Sequence, residues 1–455
     1  MRNMIKKIIT AFIFSSFILI FNNSYALTNI SGIIANNTVW TSTNSPYLIT
    51  GDVTVNAGAT LTIEPGVVVK FQCASVNYQK KIITVSGVLH AQGTTDAPIV
   101  FTSERDDEHG GDTNGDAYQT TPAKGDWGYV RIVGAGSAIQ YCKFLYGGFR
   151  QASSSSQTYY NYMLWIAAPP ESINISYNEF SNIYDYSIYY QANSAGSSYP
   201  SIISNIFLNS NNGIKIIGNW NTDLSLISNT FTNINSYAVD ISGITSNSIT
   251  NNNDFLNCGN GIKINGDGST KINLTENTFT NITTYPIYVS QINQESNITE
   301  NNISNSRYGI AVDACSPNIN SNTINALTDA PFLHINGGFP VYGSNTITEI
   351  ARNYTAVSGT ITTNQTWPNL GTPYFIIGDV TVSAGATLTI EPGVLVKFQC
   401  TSLHYQKKII TVNGTLHAHG TADAPIVFTS ERDDEHGGDT NGDAYQTTPA
   451  KGDWG

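Results

Sequence analysis

The stretch NTFTNINSYAVDISGITSNSITNNNDFLNCGNGIKI, from Asn229 to Ile264, contains two Asn-x-Phe marks, each followed by a second asparagine two residues later. The marks lie 24 residues apart, and the same step connects the marks that begin at Asn205, Asn229, Asn253 and Asn277 and then leads to Asn301-Asn-Ile303, where isoleucine replaces phenylalanine. A fixed period of this length without helical spacing indicates a repeat architecture in which each repeat buries its core only against its neighbours.

Between the marks lie short runs in which apolar residues alternate with other residues: Ile214–Ile216, Val239–Ile241, Ile262–Ile264, Ile287–Val289 and Ile310–Val312. Alternation with period two places Ile and Val inside and the middle residue outside. Parallel strands stack about 4.8 Å apart, so Phe207, Phe231, Phe255 and Phe279 are predicted to form one internal column. Asparagine at the bends tolerates left-handed backbone, and its amide can bond to the asparagine of the next coil. The sequence therefore predicts an all-β solenoid of parallel strands with about 24 residues per coil.

A longer repeat encloses this short one. Residues 46–128 align without a gap with residues 373–455, and eleven of these 83 positions differ. The offset is 327 residues, so the chain holds one whole module and the start of a second. The second copy ends at Gly455, where the first continues into a predicted strand, so we expect a truncated second module.

These patterns resemble a known family. The N-x-F-x-N marks, the Gly-Ile-x-Ile strands at Gly213, Gly261 and Gly309, and VTVNAGATLTIEPGVVVKF at Val53–Phe71 are similar to the right-handed parallel β-helix proteins of the pectin-lyase-like superfamily, in particular secreted bacterial repeat proteins. The resemblance implies a right-handed coil. It implies no single activity, because this fold hosts lyases, hydrolases, epimerases, adhesins and inert stalks.

The predicted organisation has seven segments. They are a signal peptide (1–26), a lead-in (27–45), N-terminal β-helix coils (46–145) with an acidic loop (104–126), a Ser/Tyr-rich insertion (146–172), regular coils (173–350), an inter-module linker (351–372) and the second module (373–455).

The first 26 residues have the pattern of an export signal: a basic start at Arg2, Lys6 and Lys7, an apolar run, and a small-x-small site at Ser24–Ala26. We therefore expect an exported protein that is extracellular, at the cell surface or periplasmic, with no later membrane span. Removing the signal leaves 18 Lys and Arg against 33 Asp and Glu. Nucleic acid is excluded as a partner because its binding depends on phosphate neutralisation by basic residues.

The acidic loop is the candidate metal site. Asp112-Thr-Asn114-Gly-Asp116 has the spacing with which calcium loops begin, although Ala117 and Ala123 replace the glycine and glutamate of an EF-hand. The candidate ligands are Asp107, Asp112, Asn114, Asp116 and Asp126, with Asp439, Asn441 and Asp443 in the second copy. Clustered carboxylates repel one another unless a cation or solvent relieves them. Structural calcium and a solvated acidic turn both remain open.

The aromatic run Tyr159, Tyr160 and Tyr162, with Trp165, is the candidate ligand site. Exposed aromatic rings stack on sugar faces and anchor interfaces, so an extracellular polysaccharide or cell-surface glycan is the expected partner. The alternative is that these rings pack against the side of the solenoid.

No catalytic set is evident, so the sequence favours a structural, adhesive or glycan-contacting role over an enzymatic one. Lys215, Asp240, Lys263 and Tyr288 occupy equivalent outward positions on consecutive coils, and we interpret them as a surface ladder of modest energetic value. The alternative function is a carbohydrate-active enzyme, a polysaccharide lyase or glycoside hydrolase of the same superfamily. The five scattered cysteines indicate neither a disulfide framework nor a zinc site.

Overall fold

The computed structural model describes residues 27–167, 173–192, 200–244, 248–401 and 406–455. The predicted signal peptide (1–26) and the last residues of the predicted insertion (168–172) lie outside the described residues. Apart from two short 3₁₀ helices, Ser42–Asn44 and Asn77–Gln79, the regular structure of the described part consists of β-strands.

The strands are numbered in chain order. Strands β1–β13 are Thr28–Ile34, Thr38–Trp40, Tyr47–Val55, Thr60–Ile63, Val68–Phe71, Ile83–Val85, Val88–Gln92, Ile99–Ser103, Val130–Ile132, Ala138–Gln140, Cys142–Leu145, Arg150–Gln151 and Tyr159–Tyr160. Strands β14–β37 are Tyr162–Ala167, Ile173–Ser176, Glu179–Ser181, Tyr186–Gln191, Pro200–Ile203, Ile206–Leu208, Asn212–Thr222, Ser225–Ile227, Thr230–Thr232, Tyr237–Ile244, Ser248–Asn251, Asp254–Leu256, Asn260–Asn265, Ile272–Thr275, Thr278–Thr280, Ile287–Ser290, Asn297–Thr299, Asn302–Ser304, Ile310–Asp313, Asn318–Asn320, Thr323–Asn325, Phe332–Ile335, Val341–Tyr342 and Thr346–Thr348. Strands β38–β45 are Thr355–Ile361, Gln365–Trp367, Tyr374–Val382, Thr387–Ile390, Leu395–Phe398, Ile410–Val412, Thr415–Ala418 and Val427–Ser430.

Each regular coil contributes one strand to each of three faces of the solenoid. The strands β20, β23, β26 and β29 form one face, which we call the GIxI face after the Gly-Ile-x-Ile motif of β20 and β26. The strands β18, β21, β24 and β27 form the middle face, and the strands β19, β22, β25 and β28 form the Phe face. Neighbouring strands on all three faces pair in parallel; within the described part of the chain, only the hairpin of β12 and β13 is antiparallel. This architecture confirms the predicted parallel solenoid.

The internal phenylalanine column is confirmed. The ring centroids of Phe207 and Phe231 are 4.6 Å apart, those of Phe231 and Phe255 are 4.9 Å apart, and those of Phe255 and Phe279 are 4.6 Å apart. The rings are nearly parallel and buried. Strand stacking thus converts the 24-residue period into one continuous apolar core.

A buried asparagine ladder lies at the corner between the middle face and the Phe face. The Asn229 side chain accepts the backbone N–H of Asn205 at 3.0 Å and its amide group at 3.0 Å. Its own amide donates to Asn253 Oδ1 at 3.0 Å and to the carbonyl of Ile202 at 2.8 Å. The ladder satisfies the polar groups of a corner that is otherwise closed to water.

Two of the predicted segments contain strands of the solenoid. The expected linker 351–372 contributes β38 and β39 to the solenoid, because Val357, Ile361 and Trp367 are buried in the core of the second module. Within the expected insertion, the hairpin β12–β13 lies outside the coils, but β14 already belongs to the GIxI face, since it pairs in parallel with β9 and β17.

The second module is rotated by one face relative to the first. Strand β35, which continues the GIxI face, pairs with β38, which pairs with the first half of β40. That half of β40 continues into β42 and β45, the counterparts of β5 and β8. In the first module β5 and β8 lead instead into the Phe face. The GIxI face of one module therefore continues into the Phe face of the next.

Candidate functional site

The outer surface of the GIxI face from β14 to β29 is rich in tyrosine, and we call it the tyrosine face. Its central row runs in register through Trp165, Tyr189, Lys215, Asp240 and Lys263 to Tyr288. This arrangement confirms the predicted outward ladder. The Lys215 ammonium group pairs with the Asp240 carboxylate one coil away.

A second row lies three residues earlier, at or just before the start of the same strands. Tyr162 aligns with Tyr186, and Tyr237 aligns with Asn260. The Asn260 Oδ1 atom accepts the backbone N–H of Tyr285 at 3.3 Å, and the ring of Tyr285 stacks on Tyr308 with centroids 5.4 Å apart. This row therefore contains both aromatic rings and amide groups.

The tyrosine face contains a depression of about 280 Å³. It is lined by Tyr237, Asn260, Lys263, Tyr285 and Tyr288, among others. The Lys263 ammonium group lies 5.4 Å from the centroid of the Tyr237 ring. Among the described residues Lys263 forms no ion pair, so its N–H groups remain available to an oxygen acceptor.

Three tyrosine hydroxyls of this face, those of Tyr162, Tyr186 and Tyr288, have a raised pKa and keep their protons at neutral pH. Burial raises the pKa of Tyr162 and that of Tyr186 to about 12. Burial, and the hydrogen bond that its hydroxyl donates to Asp313 at 2.5 Å, raise the pKa of Tyr288 further. The face can hydrogen-bond sugar hydroxyls through these groups and can stack on sugar rings.

The structure brings three of the four predicted ligand residues to this face. The rings of Tyr160 and Trp165 are 5.4 Å apart, and those of Tyr162 and Tyr189 are 4.0 Å apart. Tyr159 lies elsewhere and stacks on Phe149 with centroids 5.8 Å apart. The Trp165 Nε1 atom is buried without a hydrogen-bond partner. These three rings thus pack against one another and against the solenoid, and each remains partly exposed.

The hairpin β12–β13 lies at one end of the tyrosine face, and Arg352 and the second acidic loop lie at the other. At one end the hairpin β12–β13 places Tyr160 beside Trp165. At the other end Arg352 Nη1 lies 3.4 Å from Asp329 Oδ2, and Arg352 Nη2 donates to the carbonyl of Thr440 at 3.1 Å. Thr440 belongs to the acidic loop of the second module, so this loop lies against the last coils of the first module.

Sequence reasoning missed the second row of tyrosines. Tyrosine recurs two residues before the first buried Ile or Val of several GIxI strands, at Tyr186, Tyr237, Tyr285 and Tyr308, and this recurrence is the signal that could have found the row. Strict period two would place these tyrosines inside, but the residue that follows each of them, such as Ser187 or Ala238, is itself buried, so the tyrosines stay partly exposed.

Comparison with known proteins identifies the family. A family model described as a pectate-lyase-like β-helix domain matches residues 32–160 and 359–443, which are corresponding parts of the two modules. A second model, described as a right-handed β-helix region, matches residues 192–355. The chain is a right-handed β-helix protein of the pectate-lyase-like group. No curated protein matches it.

The acidic loops of this β-helix protein form tight turns. Asp112 Oδ1 accepts the backbone N–H of Gly115 at 2.7 Å, and Asp112 Oδ2 accepts that of Ala117 at 2.9 Å. Asp116 Oδ2 accepts the backbone N–H of Thr120 at 2.9 Å and the amide of Asn114 at 3.0 Å. The second copy repeats these contacts at Asp439, Asn441 and Asp443.

The remaining predicted metal ligands lie in two environments. Asp126 accepts the Ser103 hydroxyl at 2.8 Å and pairs with Arg105 at 3.2 Å. Asp107 Oδ1 is buried without a hydrogen-bond partner, as is Asp434 Oδ1 in the second copy. Burial, and then the neighbouring Asp112, raise the pKa of Asp107. The described residues include no group of three or more acidic, His or Cys side chains that could hold a metal ion, and calcium binding stays a prediction.

Buried lysines offset part of the loop charge. Lys70 is fully buried beneath the first loop and donates to the carbonyl of Gly111 at 2.5 Å. Lys397 is equally buried beneath the second loop and donates to Gly438 and Thr440, both at 2.7 Å. Burial lowers the pKa of Lys70, while four surrounding carboxylates oppose that shift. Each acidic loop thus covers a buried lysine that belongs to the chain itself.

The cysteines and helices add no further site. All five cysteines are free thiols, and Cys142, Cys258 and Cys315 are buried. Burial raises the pKa of Cys258 to about 11, so this thiol is protonated. No helix in the described part of the chain is long and apolar enough to cross a membrane.

Proposed function

We propose that this β-helix protein is exported and binds an extracellular polysaccharide along the tyrosine face without cleaving it. The observation that carries the proposal is the register of outward aromatic, amide and charged side chains over six stacked strands, β14 to β29. Five spacings of about 4.8 Å give a face about 24 Å long. A surface of that length suits a polymer better than a single sugar.

The chemistry of the face suits sugars. A tyrosine ring contacts the apolar face of a pyranose, and its hydroxyl bonds to the polar rim. Asn260 and Asn265 line the same depression and supply both donors and acceptors. The free ammonium group of Lys263 adds a charged donor, which would favour a polymer with carboxylate groups.

The alternative, a polysaccharide lyase or glycoside hydrolase, has less support. Inverting hydrolysis needs two carboxylates that face one glycosidic bond. On the tyrosine face Asp240 pairs with Lys215, and Asp313 of the neighbouring strand β32 accepts hydrogen bonds from Tyr288 and Asn336. These carboxylates are thus held as acceptors by their neighbours. Release of unsaturated products or new reducing ends from uronate polymers would establish the alternative.

The decisive experiment is affinity electrophoresis of the protein in gels that contain a panel of neutral and acidic polysaccharides. At least one polymer should retard the wild-type protein, and Tyr285→Ala and Tyr288→Ala should each abolish most of that retardation. Tyr118→Ala is the matched control, because Tyr118 is 69% exposed on the acidic loop. Equal retardation of all three variants would place binding elsewhere, and no retardation by any polymer would contradict the proposal.

Export is tested separately. Mass spectrometry of the protein recovered from the medium or periplasm of an expressing cell should show a chain that begins at Leu27. A full-length chain retained in the cytoplasm would contradict export.

A further inference from the structure

The corner between the middle face and the Phe face has an unusual residue in two of its coils. In the regular coils, the residue immediately before each buried ladder asparagine has a positive φ. These residues are Ser204, Ser228, Asn252, Glu276 and Glu300. Two earlier coils place tyrosine there: Tyr141 has φ 50° and Tyr177 has φ 58°. A bulky residue in left-handed backbone is an outlier, and such strain commonly persists where it serves a site.

The two tyrosines form a flat platform. Their ring centroids are 4.8 Å apart with an interplanar angle of 4°, so the rings stack one coil above the other. Tyr177 is 51% exposed. The next coil has Ser204 at the equivalent position, so no third ring continues the stack.

A recess of about 410 Å³ surrounds this platform. Thr94, Thr95 and Pro98, from the wider bend of the preceding coil, line one side, and Ser204 and Ile206 line the other. Ile206 is 43% exposed. At the edge of the recess Lys143 and Glu179 form an ion pair of 3.0 Å, which offers a donor and an acceptor side by side.

We infer that this recess is a second carbohydrate site, in which a neutral pyranose ring stacks on Tyr177 in the place above Ser204 where a third tyrosine would lie. The stack spacing matches the coil spacing, so a flat ring at that place continues the column without moving the backbone. The Lys143–Glu179 pair bonds to ring hydroxyls and, because its two charges cancel, favours an uncharged sugar. This site is separate from the tyrosine face, because the core of the solenoid lies between the two.

The site is tested in the full chain carrying Tyr285→Ala, which weakens the tyrosine face. Cellopentaose, xylopentaose and mannopentaose are titrated and followed by saturation-transfer NMR. At least one should bind, and Tyr177→Asn should weaken it about tenfold, as expected for the loss of one ring contact of about 1.4 kcal/mol. Ser204→Tyr should weaken it equally, because a third tyrosine then occupies the place of the sugar.

Stability separates a binding role from a structural one. Asparagine occurs at this corner as Asn252 and tolerates positive φ, so Tyr177→Asn should leave the melting temperature unchanged or raise it. The inference is overturned if no probe binds, if Tyr177→Asn or Ser204→Tyr binds as well as the parent, or if Tyr177→Asn lowers the melting temperature by more than about 5 °C. Because every variant carries Tyr285→Ala, failure of the tyrosine-face proposal does not affect this test.

Discussion

Replacing Asn229 with alanine should destabilise the solenoid far more than a surface asparagine replacement. Asn229 is 1% exposed. Its side chain accepts two hydrogen bonds from Asn205 and donates to Asn253, Ile202 and Ile227. Alanine leaves the backbone N–H of Asn205 buried without a partner, which costs about 1–3 kcal/mol. The other lost bonds contribute about 0.5–1.5 kcal/mol each, so we expect a loss of about 3 kcal/mol or more.

The assay is urea denaturation followed by far-ultraviolet circular dichroism, with the slope of the transition compared between variants. Asn233→Gly is the matched control. Asn233 lies in an exposed ladder, bonded to Asn209 and Asn257 at 2.9 and 3.2 Å, and has φ 56°, which glycine adopts freely. We expect the control to lose less than about 1 kcal/mol. A loss below about 1 kcal/mol for Asn229→Ala, or equal losses for both variants, would refute the view that the buried ladder holds the corner.

Three further predictions concern the acidic loops. Burial would raise the pKa of Asp106, but hydrogen bonds from His109 and Thr102 hold it below its usual value. Asp106 therefore contributes stability above its unfolded-state pKa of about 3.9, and this stability is lost as pH falls through the folded pKa. The midpoint of urea unfolding, measured from pH 6 to pH 2, should therefore fall less steeply in Asp106→Asn than in the wild type. Arg352→Met should make residues 431–453 more sensitive to limited proteolysis and leave residues 104–126 unchanged, and equal cleavage of both loops would contradict the role of Arg352 at the junction. If the acidic loops bind calcium, millimolar calcium should raise the melting temperature of the wild type, and Asp107→Asn should remove this increase. An unchanged melting temperature in the presence of calcium would contradict calcium binding.

The regular coils could be predicted because local physics determines them. Period-two alternation decides which side chains point inward, and strand stacking then aligns Phe231 with Phe255 and Asn229 with Asn253. The same argument placed Lys215 beside Asp240. The handedness came from the family resemblance, which the comparisons confirm.

Other features depend on contacts that no local pattern encodes. The rotation at the module junction follows from how β35, β38 and β40 align across short coils, and the sequence alone suggested a linker there. Lys70 has the outward position of an exposed lysine, but the loop that follows β8 covers it completely. The Tyr141–Tyr177 platform arises because two coils with different bend lengths place equivalent residues together.

The one-face rotation between modules has a consequence for any chain in which this unit recurs. Every additional unit joined in the same register would shift its tyrosine face by one further face of the solenoid. Three successive units would then present their tyrosine faces in three different directions. If that face binds polysaccharide as proposed, such a rod would not follow one polymer chain along its length but would tether separate chains that pass on different sides of it.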